Sequence, residues 1–186
     1  MSSSLFIQTL TTLRPAAVAK IQGDTANPVR GYATFYNTYT GGVVVQVEVL
    51  HLPDQNSPNR SGFFGMHIHE TGDCTPPFDK TGMHYNPTDQ MHPFHSGDLP
   101  PLLSNHGYAW MAFYDARFTI SDILGRSLII HENRDDFTTQ PAGDSGTKIA
   151  CGVIEAYSPD FRESCKKRRW SLDHRRYFIT IHLFSY

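Results

Sequence analysis

The 186-residue chain has only three cysteines, Cys74, Cys151 and Cys165, and no C-x-x-C pair. That count excludes a disulfide scaffold and a four-thiolate metal site. No apolar run reaches the roughly eighteen residues a membrane-crossing helix needs, so no membrane span is expected. The opening MSSSLFIQTLTTLRPAAVAK lacks the charged start, continuous apolar stretch and small-residue cleavage site of a secretory signal, and the expected setting is cytoplasmic. Charge is sparse as well, with 18% charged residues and a net charge of -2. Such a balance excludes both wholesale disorder and a generally polyanion-binding body. No segment before residue 157 shows a convincing helical period, and there is no internal repeat or low-complexity tract.

What is present is strand-like. AAVAKIQG near 16–23, VRGYATFYNT near 29–38, VVVQVEVLHL near 43–52 and GFFGMHIHE near 62–70 alternate or carry β-branched and aromatic residues. The series resumes with HGYAWMAFYD (106–115), RSLIIHE (126–132) and IACGVIEAY (149–157), between stretches rich in Gly, Pro, Asn and Asp. About eight short antiparallel strands without intervening helices predict an all-β Greek-key sandwich or flattened barrel. The alternation around Trp110 predicts that its side chain packs in the core. The domain is expected to span 16–156, after a short extension at 1–15 and before a basic tail at 157–186. From Tyr157 to Tyr186 seven Lys/Arg stand against three Asp/Glu, a local +4 that leaves -6 on residues 1–156.

Two long connections, from Thr71 to about Leu103 and from Asn133 to Lys148, break the regular spacing. Connections of that length in a small domain usually carry function. Most of the histidines are on or beside them. His67 and His69 share one face of their strand, roughly 7 Å apart. GMHYNPTDQMHPFHSGD then brings His84, His92, His95 and Asp98, and RSLIIHE ends on His131. Three imidazoles and a carboxylate suit tetrahedral zinc, and copper(II) accepts a flattened set of nitrogens. Seven candidate ligands exceed the needs of one ion, so two metals with one shared imidazole are favoured.

In order, G-M-H-I-H-E, G-M-H-Y-N-P, H-S-G-D-L, G-R-S-L-I-I-H-E-N-R-D-D and G-T-K-I-A-C-G-V-I resemble the signatures of copper,zinc superoxide dismutases over about residues 16–156. The resemblance implies a copper site of His67, His69, His84 and His131 and a zinc site of His84, His92, His95 and Asp98, with His84 bridging. It implies that Asp135 links a copper histidine to a zinc histidine and that Cys74 and Cys151 form a disulfide. A loop of that length contributes roughly 4.5 kcal/mol in the chain-entropy model. Superoxide is the implied substrate, converted to O2 and H2O2 by alternate reduction and reoxidation of copper. In that cycle His84 releases copper and takes a proton.

Three departures from the family pattern stand out. Lys148 occupies the place of a rim arginine, keeping the charge but not the planar fork. Ala142 replaces a threonine, and only Pro93 and Phe94 separate His92 from His95. Lys148 and Arg134 are the candidates for attracting the anion, with Arg134 more simply read as a solvated loop charge. A copper-binding or chaperone-like relative without turnover is the alternative function, and an unrelated all-β binding module is a third. His51, His106, His174 and His182 fit no site, and Cys165 is expected as a free thiol. No nucleic-acid partner is expected, and pairing of sandwich faces into a homodimer is compatible with such a fold.

Overall fold

The computed structural model describes residues 1–53 and 61–158. The basic tail, with Cys165, Trp170, His174, Tyr177 and His182, lies outside the described residues.

The described part is built from antiparallel strands: β1 (Ala17–Gly23), β2 (Arg30–Asn37), β3 (Val43–Leu50), β4 (Phe63–Phe64), β5 (Met66–His69), β6 (Leu102–Leu103), β7 (Ala109–Asp115), β8 (Ser127–His131) and β9 (Lys148–Ala156). Seven of them form one sheet in the order β5-β8-β9-β1-β2-β3-β7, and β4 pairs with β6. The sheet curls around its own apolar face. Alternation selects that face in each strand: Ala17, Ala19 and Ile21 in β1, Val45, Val47 and Val49 in β3, Met66 and Ile68 in β5, Leu128 and Ile130 in β8. With Phe35, Phe64 and Leu102 they form one continuous core.

The all-β expectation holds; the short β6 adds a strand inside the first long connection, and the run at 62–70 is divided at Gly65. A β-carbon there would stand 2.8 Å from the Ser145 hydroxyl, so a larger residue would push the second long connection away. Trp110 in β7 does not pack in the core as expected. Ala109 points inward and Met111 and Phe113 lean on the core, which turns Trp110 outward to 52% exposure. Strand parity, not aromatic character, decides its side.

A helix also forms where none was expected. α1 (Ser3–Thr12) starts at the Ser2 hydroxyl, which accepts from the Leu5 amide at 3.3 Å. Its threonines return their hydroxyls to carbonyls one turn back, Thr9 to Leu5 at 2.8 Å and Thr12 to Gln8 at 2.8 Å. Thr9 is buried and Leu5, Phe6 and Leu10 are half-buried on the side packed against β3. A second, single-turn helix, α2 (Ile120–Ile123), is closed by a reciprocal capping box between Thr119 and Asp122. No helix among the described residues is long and apolar enough to cross a membrane.

The β8–β9 ladder slips by one residue at its end. Ile130 faces Ala150, but His131 faces Lys148, so Ile149 is an extra residue on β9.

Candidate metal centre

The inward side chains of β5 and β8 belong to the core, so His67, His69 and His131 point to the outer face of the sheet. The two long connections fold over that face. The first crosses close to β5, where His69 bridges to His84 and His67 to Asp98. All seven candidate ligands are thereby buried beneath loops on the outside of the barrel.

They gather as two groups that share His84. His67, His69, His84 and His131 present nitrogen atoms within 4.8 Å of one another, and so do His84, His92 and His95 with an Asp98 oxygen. Hydrogen bonding assigns the nitrogens. His67 and His92 each turn Nε2 toward one oxygen of Asp135, at 2.8 and 2.9 Å. A carboxylate accepts only, so both rings donate there and Nδ1 of each is left with a free lone pair. His69 Nδ1 donates to the Gly82 carbonyl at 2.9 Å and His131 Nδ1 to the Gly146 carbonyl at 3.2 Å. Their Nε2 atoms face each other at 3.3 Å. His84 directs Nδ1 to Asp98 at 2.7 Å and leaves Nε2 on the other side of its ring.

His67 Nδ1, His84 Nε2 and His92 Nδ1 are buried without a hydrogen-bond partner. Orphaned buried polar atoms are costly, and three of them converging within two ligand groups fit metal ions. The remaining donors agree. Four nitrogens, two of them orphaned, form one set, and three Nδ1 atoms near a carboxylate form the other, with His92 Nδ1 at 3.1 Å and His95 Nδ1 at 3.2 Å from Asp98. Burial holds the His67 and His69 rings well below their usual pKa, and nearby histidines press the same way. His131 is lowered to about 4, again mainly by burial. These rings are therefore neutral near pH 7, as ligation requires. Burial pushes the Asp98 carboxyl up, but the His84 hydrogen bond and the charges of His84, His92 and His95 outweigh it and leave it low.

Asp135 spans the two groups and is buried with them; its Oδ1 also accepts from the Phe137 amide at 2.7 Å. Gly143 lies against it with φ at 67°. Cys74 and Cys151 are disulfide-bonded and pin the first long connection to β9. Lys148 is anchored: its ammonium donates to Thr81 Oγ1 at 2.9 Å and to the Gly82 and Phe78 carbonyls at 3.0 and 3.4 Å. Burial lowers its pKa. Its charge still reaches His69 and His131. Arg134, His51 and His106 are exposed and lie outside both ligand groups.

Two residues were missed from sequence. Gln140 pairs its amide with both backbone groups of His92, and Arg117 reaches the carbonyls of His95 and Asp98. Both bind main chain, so no ligand-type pattern announces them.

Residues 29–154 match the family model described as Copper/zinc superoxide dismutase (SODC). Superoxide dismutase (Cu-Zn) 3 of Arabidopsis thaliana is 32% identical over 154 residues, covering 74% of this chain and 88% of that protein. The Deinococcus radiodurans superoxide dismutase (Cu-Zn) is 34% identical over 158 residues, covering 72% and 81%. Among solved structures, a double mutant of a SOD-like protein from Bacillus subtilis superposes with a TM-score of 0.66 at 28% identity, covering 75% of this chain and 97% of that one. The clock protein EA4 gives a TM-score of 0.66 at 31% identity, covering 78% and 97%. With two ligand groups sharing one imidazole and a family match across most of its strands, the chain belongs to the copper/zinc superoxide dismutase family.

Proposed function

We propose that the protein is an active superoxide dismutase, with copper held by His67, His69, His84 and His131 and zinc by His84, His92, His95 and Asp98. The observation that carries this reading is the complete four-histidine set. His67, His69 and His131 each have one nitrogen committed to a carboxylate or carbonyl and the other free for a metal, and His84 offers Nε2 to the same set while its Nδ1 lies beside Asp98 in the other. Copper, when bound, supplies the one-electron chemistry by which two superoxide ions and two protons become O2 and H2O2; zinc is redox-inert.

The chain's own residues do the remaining work. Asp135 fixes the tautomers of His67 and His92 together, so the two halves share one orientation. His84 stands between them, and its Nε2 is the atom that can carry a proton to departing product. Lys148 has its donors turned to Thr81, Gly82 and Phe78, so it acts on superoxide by charge at a distance, not by a hydrogen bond.

Reconstitution with copper and zinc, followed by metal analysis and a dismutase assay, tests the proposal. Copper-dependent, cyanide-sensitive turnover that disappears in His131→Ala is expected. Tight copper binding without turnover would support the non-catalytic alternative, and binding of copper alone would refute the zinc assignment.

A further inference from the structure

The segment that carries His92, His95 and Asp98 is short, and nearly all its hydrogen bonds to the barrel run through its backbone. Gly97 exchanges main-chain bonds with Tyr85 at 2.8 Å and Ile68 at 2.9 Å. Two side chains from outside the segment then take hold of the ligand residues' own peptides. Arg117, just beyond the end of β7, donates Nη1 to the His95 carbonyl at 3.1 Å and Nη2 to the Asp98 carbonyl. The rest of its guanidinium is forked on Asp115, with Nη2 2.6 Å from Oδ2 and Nε 3.0 Å from Oδ1. Asp115 is buried and its Oδ1 also accepts from the Arg117 amide at 2.8 Å, so the fork is fixed at its base. At the start of the segment, Gln140 accepts from the His92 amide at 3.0 Å and donates to the His92 carbonyl at 2.6 Å.

We infer that Arg117 and Gln140 are positioning residues for the zinc half of the site: a guanidinium clamp on His95 and Asp98 and an amide clamp on His92. This rests on the zinc assignment proposed above. A planar five-donor group suits the task, because it can engage a carboxylate and two carbonyls in one plane. Gln140 repeats the two-point pairing of a strand ladder with a side chain. Between them they hold all three ligand residues that His84 does not supply, without touching a ligand atom. The copper half has no such dependence: its rings are fixed by Asp135, Gly82 and Gly146.

The test compares wild type, Arg117→Met, Arg117→Lys and Gln140→Ala by zinc competition against a chromophoric chelator. Visible spectra of cobalt(II) bound in the zinc position and thermal unfolding of the metal-free proteins complete the set. Arg117→Met and Gln140→Ala should each weaken zinc roughly 10- to 100-fold, the range for outer-shell partners of a metal site. Both should alter the cobalt spectrum while copper still binds at one equivalent. Arg117→Lys, which keeps the charge and loses the fork, should recover only part of the affinity. Wild-type zinc affinity and an unchanged cobalt spectrum in Arg117→Met and Gln140→Ala would overturn the clamp, as would a loss of zinc fully accounted for by a matching loss of metal-free stability. Failure of the wild type itself to bind zinc would overturn the parent assignment, and that result is separately visible. Should Arg117→Met not fold, Arg117→Lys and Gln140→Ala carry the same comparison.

Discussion

Gly143→Ala is a substitution that reaches the metal centre without changing any ligand. A β-carbon at Gly143 would lie 2.7 Å from His92 Nε2 and closer still to Asp135 Oδ1, and φ there is 67°. The left-handed backbone alone costs an alanine about 1–2 kcal/mol. The carboxylate must also move, and Oδ1 is the oxygen that accepts from both His92 and the Phe137 amide. Losing one hydrogen bond to a charged group costs about 1.5–3 kcal/mol. The sum is about 2.5–5 kcal/mol of stability, together with a roughly 10- to 100-fold loss of metal affinity from the disturbed outer-shell contact. Gly125 supplies the control, since φ is 77° there and a β-carbon meets nothing within 4 Å. Gly125→Ala should show the backbone cost and no change in metal affinity. Urea unfolding and chelator competition on both variants measure the two effects. The reasoning is refuted if Gly143→Ala and Gly125→Ala behave alike in both assays.

Lys148→Glu should lower the second-order rate about tenfold at low ionic strength and change its salt dependence; an unchanged rate removes Lys148 from the mechanism. The metal-free protein should lose stability as pH falls. His131 protonates near pH 4 when folded and at about 6.5 when unfolded, so the unfolded chain binds the extra proton first. Its contribution is constant above about pH 6.5 and falls by roughly 3 kcal/mol by pH 4, with His67 and His69 acting in the same direction. Urea midpoints that stay flat between pH 7 and 4 would contradict the burial of these rings.

Much of the frame could be read from sequence because strand periodicity is a local signal. Val45, Val47 and Val49 announce their inward face, and His67 and His69 their common one. The two ligand groups were readable for a different reason, since imidazoles and carboxylates are few and their chemistry restricts what they can do. Other features failed for stated physical causes. The stripe of Leu5, Phe6, Thr9 and Leu10 has helical spacing, but Ser and Thr around it are weak helix formers, and the helix depends on its contact with β3. Trp110 looked like core because aromatics often are, yet its neighbours fix its parity. Arg117 and Gln140 act on peptide groups of residues 19 to 22 and 48 positions away. Every residue offers the same peptide group, so sequence carries no trace of the choice. The anchoring of Lys148 was hidden likewise, since two of its three acceptors are carbonyls.

The extra residue at Ile149 reverses the phase of the last strand. In an unbroken ladder Ile149 would stand opposite His131 and offer the histidines an apolar neighbour. Because the ladder skips it, Ile149 stays with the core and Lys148 comes up beside the ring instead. A ladder that ran on without skipping Ile149 would leave every ligand in the chain and set a hydrocarbon opposite His131 where a cation now stands. The local field at the metal centre is thus set by counting along a strand as much as by which residues the strand contains.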